Sequence, residues 1–339
     1  MFKESTALFL YAETSLHAGS GESLGAIDLA IQRERYTGFP CVAAQGIKGP
    51  VRDWFERKYD MPEKPDPDQF TLEQKQVWAA FGPNTQRASE HAGAVAFTDA
   101  RLLLFPVRSM KGVFAWITCP FVLGRLKRDL GLAQAAVPDW QDFEVPKNDN
   151  KSYALGGVEP NQHGCTATDS KVLLEEEVFT YKKNKQAGKA AAWLRGHTFP
   201  DTPEYTFWQK RLSPIADESE KPHLLVLHDD DFRHLVKTAT EVQARVALGE
   251  GKSTDTKKGG NLFYQENLPP DSVLYSVVLA ADSLKAGVND GAEAMLTFTR
   301  KLGGHRLQIG GDETTGKGYV YAQFLRNGTT TNGTTGSEN

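Results

Sequence analysis

The side chains in this 339-residue chain that could do chemistry stand beside glycines. In "GAIDLAIQRERYTG" (25–38) a carboxylate, Asp28, sits just ahead of Arg33, Glu34 and Arg35. Such a group can cap a helical turn running through "DLAIQRER", with the arginines as solvated partners. It can also hold a divalent ion or activate a nucleophile near a phosphodiester. From residue types alone, capping is the plainer of the two. Upstream, His17 lies in "LHAGSG", a loop whose backbone N–H groups can approach a phosphate closely. Its imidazole could donate to a phosphate oxygen or move a proton, although a solvent-facing loop histidine is the commoner case. Glu266, in "NLFYQENLPPD", is either a strand-end carboxylate facing a site or a turn residue, and both readings stay open.

Basic residues recur at the ends of elements, again next to glycine. "QGIKGPVR" carries Lys48 and Arg52 at a helix start, and "LFPVRSMKG" carries Arg108, Ser109 and Lys111 at the end of an apolar strand. These are positions suited to gripping phosphates. From Arg101 to Arg128 there are six Lys/Arg and no acid, and from Tyr181 to Arg195 five, Lys182 and Lys183 among them. Acids gather elsewhere, in "EEE" at 175–177 and in "HDDD", and the formal net charge is −4. That segregation fits a basic groove on an acidic particle as well as it fits two solvated faces.

Other candidates fail on chemistry. "GDETTGKG" (311–318) imitates a phosphate-binding P-loop, but Gly318 stands where Ser or Thr must hold Mg²⁺, and strand-like "YVYAQF" follows where a helix is required. A tight glycine turn against other backbone is expected there. His163 and Cys165 share a loop without further metal-ligand spacing. Three scattered cysteines predict a reduced, cytoplasmic protein, and the N-terminal stretch lacks the ordered regions of a signal peptide. No apolar run approaches the ~18–20 residues of a membrane span.

The elements that must position these groups follow from periodicity and turn residues. "STALFLYAETSL" predicts a strand, and "GIKGPVRDWFERKYD" an amphipathic helix with Pro50 in its first turn. Thr71 and Gln74 have capping-box spacing. "GAVAFTDARLLLFPV" predicts two strands about a Thr-Asp turn, and "CPFVLGRLKRDLG" a helix begun by Pro120 and ended before Gly131. Residues 132–170 read as irregular, "KVLLEEEVF" as one strand, and 175–212 as a protrusion. After strand "HLLVLH", a helix is expected from Asp229 to Leu248. Strands "NLFYQE" and "SVLYSVVLA", a helix in "NDGAEAMLTFTRKLGG", and strands "HRLQIGG" and "YVYAQFL" complete the chain. The low-complexity tail 327–339 is expected to be disordered. The rhythm β-α-β-β, then β-α-β-β-α-β, predicts an α+β fold of ferredoxin-like, RRM-like type with insertions.

Several of these stretches, in this order, resemble the RAMP superfamily, and more narrowly the repeated backbone subunits of type III-B CRISPR (Cmr) effector complexes. The resemblance is carried by "ID-x2-IQRE-x2-TG" at 27–38, "GIKG" at 46–49, "DA-x4-FPVRS-x2-G" at 99–112, "NLFYQENLP" and the glycine-rich "LQIGGDETTGKGYV", and it spans residues 6 to 326. It implies a single RRM-like domain over 1–326 with a thumb-like β-hairpin, placed at 175–212. It further implies copies stacked along a guide CRISPR RNA with other Cmr subunits, and metal-dependent cleavage of the paired target RNA at regular intervals, with Mg or Mn as the ion. Asp28 would be the key residue and possible metal ligand, with His17 and Glu266 as auxiliaries. Arg33, Lys48, Arg52, Arg108, Ser109, Lys111, Lys182 and Lys183 would contact RNA. The alternatives are a non-catalytic filament subunit and a stand-alone ribonuclease that processes guide precursors. The expected chemistry is economical, because RNA supplies its own 2′-OH nucleophile and the protein need only bend the backbone and stabilise developing charge.

Overall fold

A computed structural model describes residues 2–22, 27–148, 151–213, 221–247 and 261–326. Its centre is β1 (Glu4–Ala12), whose apolar run is buried from Ala7 onward. A strand apolar on both faces belongs inside a sheet, and β1 lies between two antiparallel partners, β15 (Val273–Ala280) and β17 (Tyr319–Phe324). Beyond β15 comes β6 (Ala100–Ser109), followed by β7 (Val113–Thr118), β12 (Leu224–Leu227), β9 (Lys151–Gly156), β11 (Glu177–Lys183) and β10 (Lys171–Leu174); β16 (His305–Gln308) closes the other edge. The architecture is a mixed α+β fold around this sheet.

Two groups of helices cover the sheet. α1 (Gln45–Lys58), α2 (Leu72–Phe81) and α7 (Ala292–Arg300) share an aromatic contact in which Phe55 meets Phe298 at 4.8 Å and Phe81 at 5.4 Å. α4 (Lys185–Thr198) brings Trp193 to Phe9 of β1, at 6.2 Å between ring centroids. Side chains alternate along a strand, so Leu8 and Leu10 face the opposite way from Phe9 and Tyr11. Thr71 and Gln74 form the expected capping box at the start of α2. Pro120 opens α3 (Pro120–Leu132) at its first turn.

Several local expectations are corrected by tertiary packing. Helix α6 (Asp229–Thr238) stops at Thr238, and β13 (Glu241–Ala247) takes over, because 241–247 alternate polar and apolar residues and pair along their length with β14 (Asn261–Asn267). "KVLLEEEVF" is two strands, β10 and β11, reversing at Glu175, which adopts φ 50°. The supposedly irregular 132–170 contributes β9 to the main sheet. α1 begins at Gln45, which puts Pro50 in its second turn, and Gly131 lies inside α3. Residues 175–212 pack instead of protruding. They form β11, α4 and α5 (Thr206–Leu212), with Ala187, Ala190, Leu194, Phe199 and Leu212 buried. Val95–Phe97 (β5) and β6 both pair with β15, so Thr98-Asp99 interrupts one course along that strand and makes no hairpin. The tail 327–339 lies outside the described residues.

A second, smaller sheet has the order β13-β14-β3-β2, where β2 is Gly19–Glu22 and β3 is Leu29–Ile31. The chain leaving β3 is tied down by a buried charge pair. Both Glu34 oxygens accept from Arg125 Nη1 of α3, at 2.7 and 2.8 Å, and Thr37 Oγ1 adds a third hydrogen bond at 2.6 Å. Deleting one partner strands the other charge in a medium that solvates it poorly, at a cost of about 3–5 kcal/mol. Glu34→Ala is therefore expected to lower the unfolding free energy by about that amount in a urea titration. A change of less than about 1 kcal/mol would mean that this pair does not hold the loop.

Candidate active-site loop and nucleic-acid interface

Asp28 is exposed, one residue ahead of β3. It caps no helix, because "DLAIQRER" is extended, its backbone held by pairing of Leu29 with Gln265 and of Ile31 with Gly19. The parallel pairing of β3 with β14 brings the Tyr264 N–H to Asp28 Oδ2 at 2.7 Å. The other carboxylate oxygen has no partner among the described residues.

His17 is buried at the foot of the same sheet. Its Nδ1 lies 2.7 Å from the carbonyl of Glu266, which can only accept, so Nδ1 carries the proton and Nε2 is left as an acceptor. Gly19 packs over Nε2, where a Cβ would lie 3.0 Å away. The glycine-rich turn closes on His17 from the other side, with Gly311 N–H donating to the His17 carbonyl at 2.9 Å. Gly310 has φ +83°, and a Cβ there would come within 2.2 Å of that carbonyl oxygen, so only glycine fits. The turn then runs straight into β17, which agrees with the rejection of a P-loop.

Glu266 is enclosed beneath the loop. Oε1 accepts from Arg33 Nη2 at 2.5 Å and from Thr240 Oγ1 at 2.8 Å, while Oε2 accepts from the Ile31 N–H at 3.1 Å. Arg33 Nη1 donates to the carbonyls of Gly38 (2.9 Å) and Val236 (3.0 Å). Glu266 and Arg33 thus form a clamp in which the carboxylate is buried and the guanidinium is partly exposed.

The basic residues singled out in the sequence divide the same way. Lys48 has no hydrogen-bond or ion-pair partner among the described residues, and burial with Arg52 nearby lowers its pKa. Arg52 is held by Glu56 (2.7 Å) and the Pro83 carbonyl (3.1 Å). Arg108 is exposed with a 3.4 Å contact to Glu175, and Lys111 donates to the Thr166 carbonyl at 2.6 Å. Ser109 is buried where β6 meets β10, away from any surface contact. Lys182 lies 4.1 Å from the Tyr153 ring centre, and Lys183 pairs with Glu159 at 2.8 Å. Asp28, His17, Arg33 and Glu266 meet around the small sheet, whereas Arg108, Ser109 and Lys111 belong to the end of β6 and the turn after it.

The structure adds residues that sequence reasoning missed. A cleft of about 590 Å³ between β13–β14 and the glycine-rich turn is lined by His17, Gln243, Arg245, Gln265, Gly311 and Asp312. Asp312 Oδ2 accepts from Arg245 Nη1 and Gln265 Nε2, each at 2.5 Å. Burial opposes the Asp312 charge, yet the hydrogen bond from Gln265 and the charge and hydrogen bond of Arg245 hold its carboxyl below the usual carboxylate range. Buried Lys317 donates to Gln243 at 2.8 Å, and desolvation with Arg245 nearby lowers its pKa. The available signal was the polar alternation Glu241, Gln243, Arg245, hidden by reading those residues as helix. No group of three or more His, Cys, Asp or Glu gathers as a metal cage among the described residues.

A sheet-based α+β core that ties an exposed carboxylate and a histidine to one strand, with a glycine-rich turn closing on the histidine, defines a class of protein suited to handling phosphodiesters. The chain belongs to the RAMP superfamily, whose profile matches residues 9–321. It is 36% identical over 311 residues, 92% of each chain, to the CRISPR system Cmr endoribonuclease Cmr4 of Pyrococcus furiosus. A second relative, the CMR subunit Cmr4 of Saccharolobus solfataricus, is 22% identical over 94% of this chain and 95% of its own. The crystal structure of oligomeric Cmr4 from Pyrococcus furiosus superposes with a TM-score of 0.64 at 29% identity, covering 95% of this chain and 98% of that one. A chain of a type III-B Cmr-beta complex bound to cognate target RNA shares the fold, with a TM-score of 0.65 at 21% identity over 95% of this chain and 98% of that one.

His163, which shares a loop with Cys165, has a structural role. Its Nδ1 accepts from the Cys165 N–H (3.2 Å), its Nε2 faces the Leu224 carbonyl (3.2 Å), and burial pushes its pKa down to about 4. The unfolded chain, with an ordinary value near 6.5, binds the proton first. The resulting stability is complete above about pH 6.5 and declines by up to ~1.4 kcal/mol per pH unit towards pH 4. The stability advantage of the wild type over His163→Gln should therefore shrink across that window in denaturant titrations. A constant difference would exclude the linkage.

Proposed function

We propose that this chain is an RNA-guided endoribonuclease subunit of a type III-B CRISPR effector complex, with copies stacked along a guide CRISPR RNA beside other Cmr subunits and cutting the paired target RNA. The observation that carries the reading is the exposed Asp28 carboxylate, held by one oxygen on a β-paired loop and with no partner for the other among the described residues. The name borne by the 36% identical Pyrococcus furiosus relative supports it.

The reaction asks little of the protein. The 2′-oxygen of the target attacks the adjacent phosphorus, its proton leaves, the bond to the 5′-oxygen breaks, and that oxygen is protonated. Asp28 can accept the proton or hold a cation against the phosphate. A lone carboxylate with RNA oxygens suits Mg²⁺ or Mn²⁺, which retain waters and need no protein cage. When bound, such an ion neutralises charge developing at the phosphate. His17, with Nδ1–H committed to the Glu266 carbonyl, offers Nε2 as an acceptor at the cleft. Glu266 and Arg33 position the loop.

Recognition rests on charge and shape, with base pairing carrying target sequence. Lys48, Arg52, Arg108, Lys111, Lys182 and Lys183 supply cations for guide phosphates. Hairpin β13–β14, with Val242, Val246, Leu262 and Tyr264 exposed, is a better candidate for the base-splaying thumb than 175–212. The order β17-β1-β15-β6, all antiparallel, with α1 after β1 and α7 after β15, supports an RRM-like reading of the core. Free Cys41, Cys119 and Cys165 suit a cytoplasmic site of action.

In the reconstituted complex, Asp28→Ala should abolish target cleavage, by at least about a hundredfold, while guide and target binding persist. A chelator should reproduce the loss in the wild type. Wild-type cutting by Asp28→Ala would refute the assignment, and loss of assembly would favour a purely structural role.

A further inference from the structure

The Arg245–Asp312–Gln265 cluster is absorbed by neither guide binding nor the chemistry at Asp28, yet it stands between the two halves of the site. Gln265 is almost fully buried and lies between Tyr264 and Glu266 on β14. The peptide N–H on one side of it holds Asp28 Oδ2, and the carbonyl on the other sets the tautomer of His17. Its own side chain is gripped from both ends: Nε2 donates to Asp312, and Oε1 accepts from Arg245. Arg245, on the neighbouring strand β13, also donates to Asp312, which closes a three-membered polar ring. Asp312 is carried by the glycine-rich turn in a left-handed conformation (φ 65°), and its own carbonyl accepts from Thr315 N–H (3.0 Å) and Lys317 N–H (3.2 Å). That turn is itself pinned to His17 through Gly311. Two further links run parallel to the ring, Lys317 to Gln243 and Ser15 to Glu241.

We propose that Asp312 is a positioning residue for RNA cleavage: through Arg245 and Gln265 it fixes β14 in the register that presents Asp28 and His17 to the same phosphodiester. The inference rests on the endoribonuclease reading above. The physical reason is geometric. Asp28 and His17 sit on separate loops, and β14 is the backbone to which both are hydrogen-bonded. In the assembled complex β13–β14 faces a polyanion, and an unpinned hairpin could shift by a fraction of a residue without unfolding. In-line attack does not tolerate such a shift, since a displacement of about 1 Å can cost about a hundredfold in rate. Asp312 touches no reacting atom and acts only through the strand.

The test is single-turnover cleavage by reconstituted guide-loaded complex, with target affinity measured separately. Asp312→Ala and Arg245→Met should each slow cleavage by about ten- to a hundredfold with target affinity unchanged. The double variant should be no slower than Asp312→Ala, and Arg245→Lys, which keeps a cation opposite Asp312, should recover part of the rate. Wild-type rates from either single variant, or a loss of affinity that accounts for the loss of rate, would overturn the proposal. If Asp312→Ala does not assemble, Arg245→Met decides alone, because it leaves the Gln265–Asp312 bond in place. Asp28→Ala, run alongside, separates the failures. If it cuts normally, the nuclease assignment itself has fallen; if it is dead while the Asp312 and Arg245 variants cut normally, only the positioning role is lost.

Discussion

A carboxylate buried under a loop must be compensated or neutralised, and the site grows from how Glu266 meets that demand. Its two oxygens collect a guanidinium, a hydroxyl and a backbone N–H from two distant segments: Ile31 within β3 and Arg33 just after it, and Thr240 before β13. The geometry is specific because each donor has one place to go. Once Glu266 is satisfied, β3 lies parallel to β14, and Tyr264 N–H stands opposite Asp28. Glu266, which the resemblance makes an auxiliary of the site, is thus a buried carboxylate with both oxygens hydrogen-bonded to the loop and its neighbours.

The second constraint is the close approach of the glycine-rich turn. Gly310 and Gly318 both have positive φ, and a Cβ at either would fall on a backbone oxygen. The absence of side chains there lets the turn lie against His17 and against the end of β16, bringing Asp312 and Lys317 to the small sheet. A motif that mimics a phosphate loop in sequence works here by close backbone packing, with its polar residues spent on linking two sheets.

Charge follows the same division of labour. Several cations in the two acid-free stretches are committed to internal carboxylates: Arg125 to Glu34, Arg101 to Asp129, Lys189 to Asp139. The local surplus of basic residues therefore overstates the charge available to a polyanion. Lys48, Arg108 and Lys182 are better placed: Arg108 and Lys182 are exposed, and Lys48 and Lys182 have no ionic partner among the described residues.

Much of the fold was legible in the sequence because its signals are local. The apolar run of β1, the Thr71–Gln74 box and Pro120 at the head of α3 each state their structure within a few residues. Asp28 was legible as a candidate from the motif around it. The boundary between α6 and β13 was not, since 241–247 pairs with a strand some twenty residues onward, and pairing outweighed helical spacing. What tertiary structure alone decided is which polar residues remain free to act. Arg33 and Glu266 lie 233 positions apart, and Asp28 and Tyr264 236 apart. A side chain's type is written in the sequence, but whether its donors and acceptors are already spent depends on partners that only folding brings within hydrogen-bond reach.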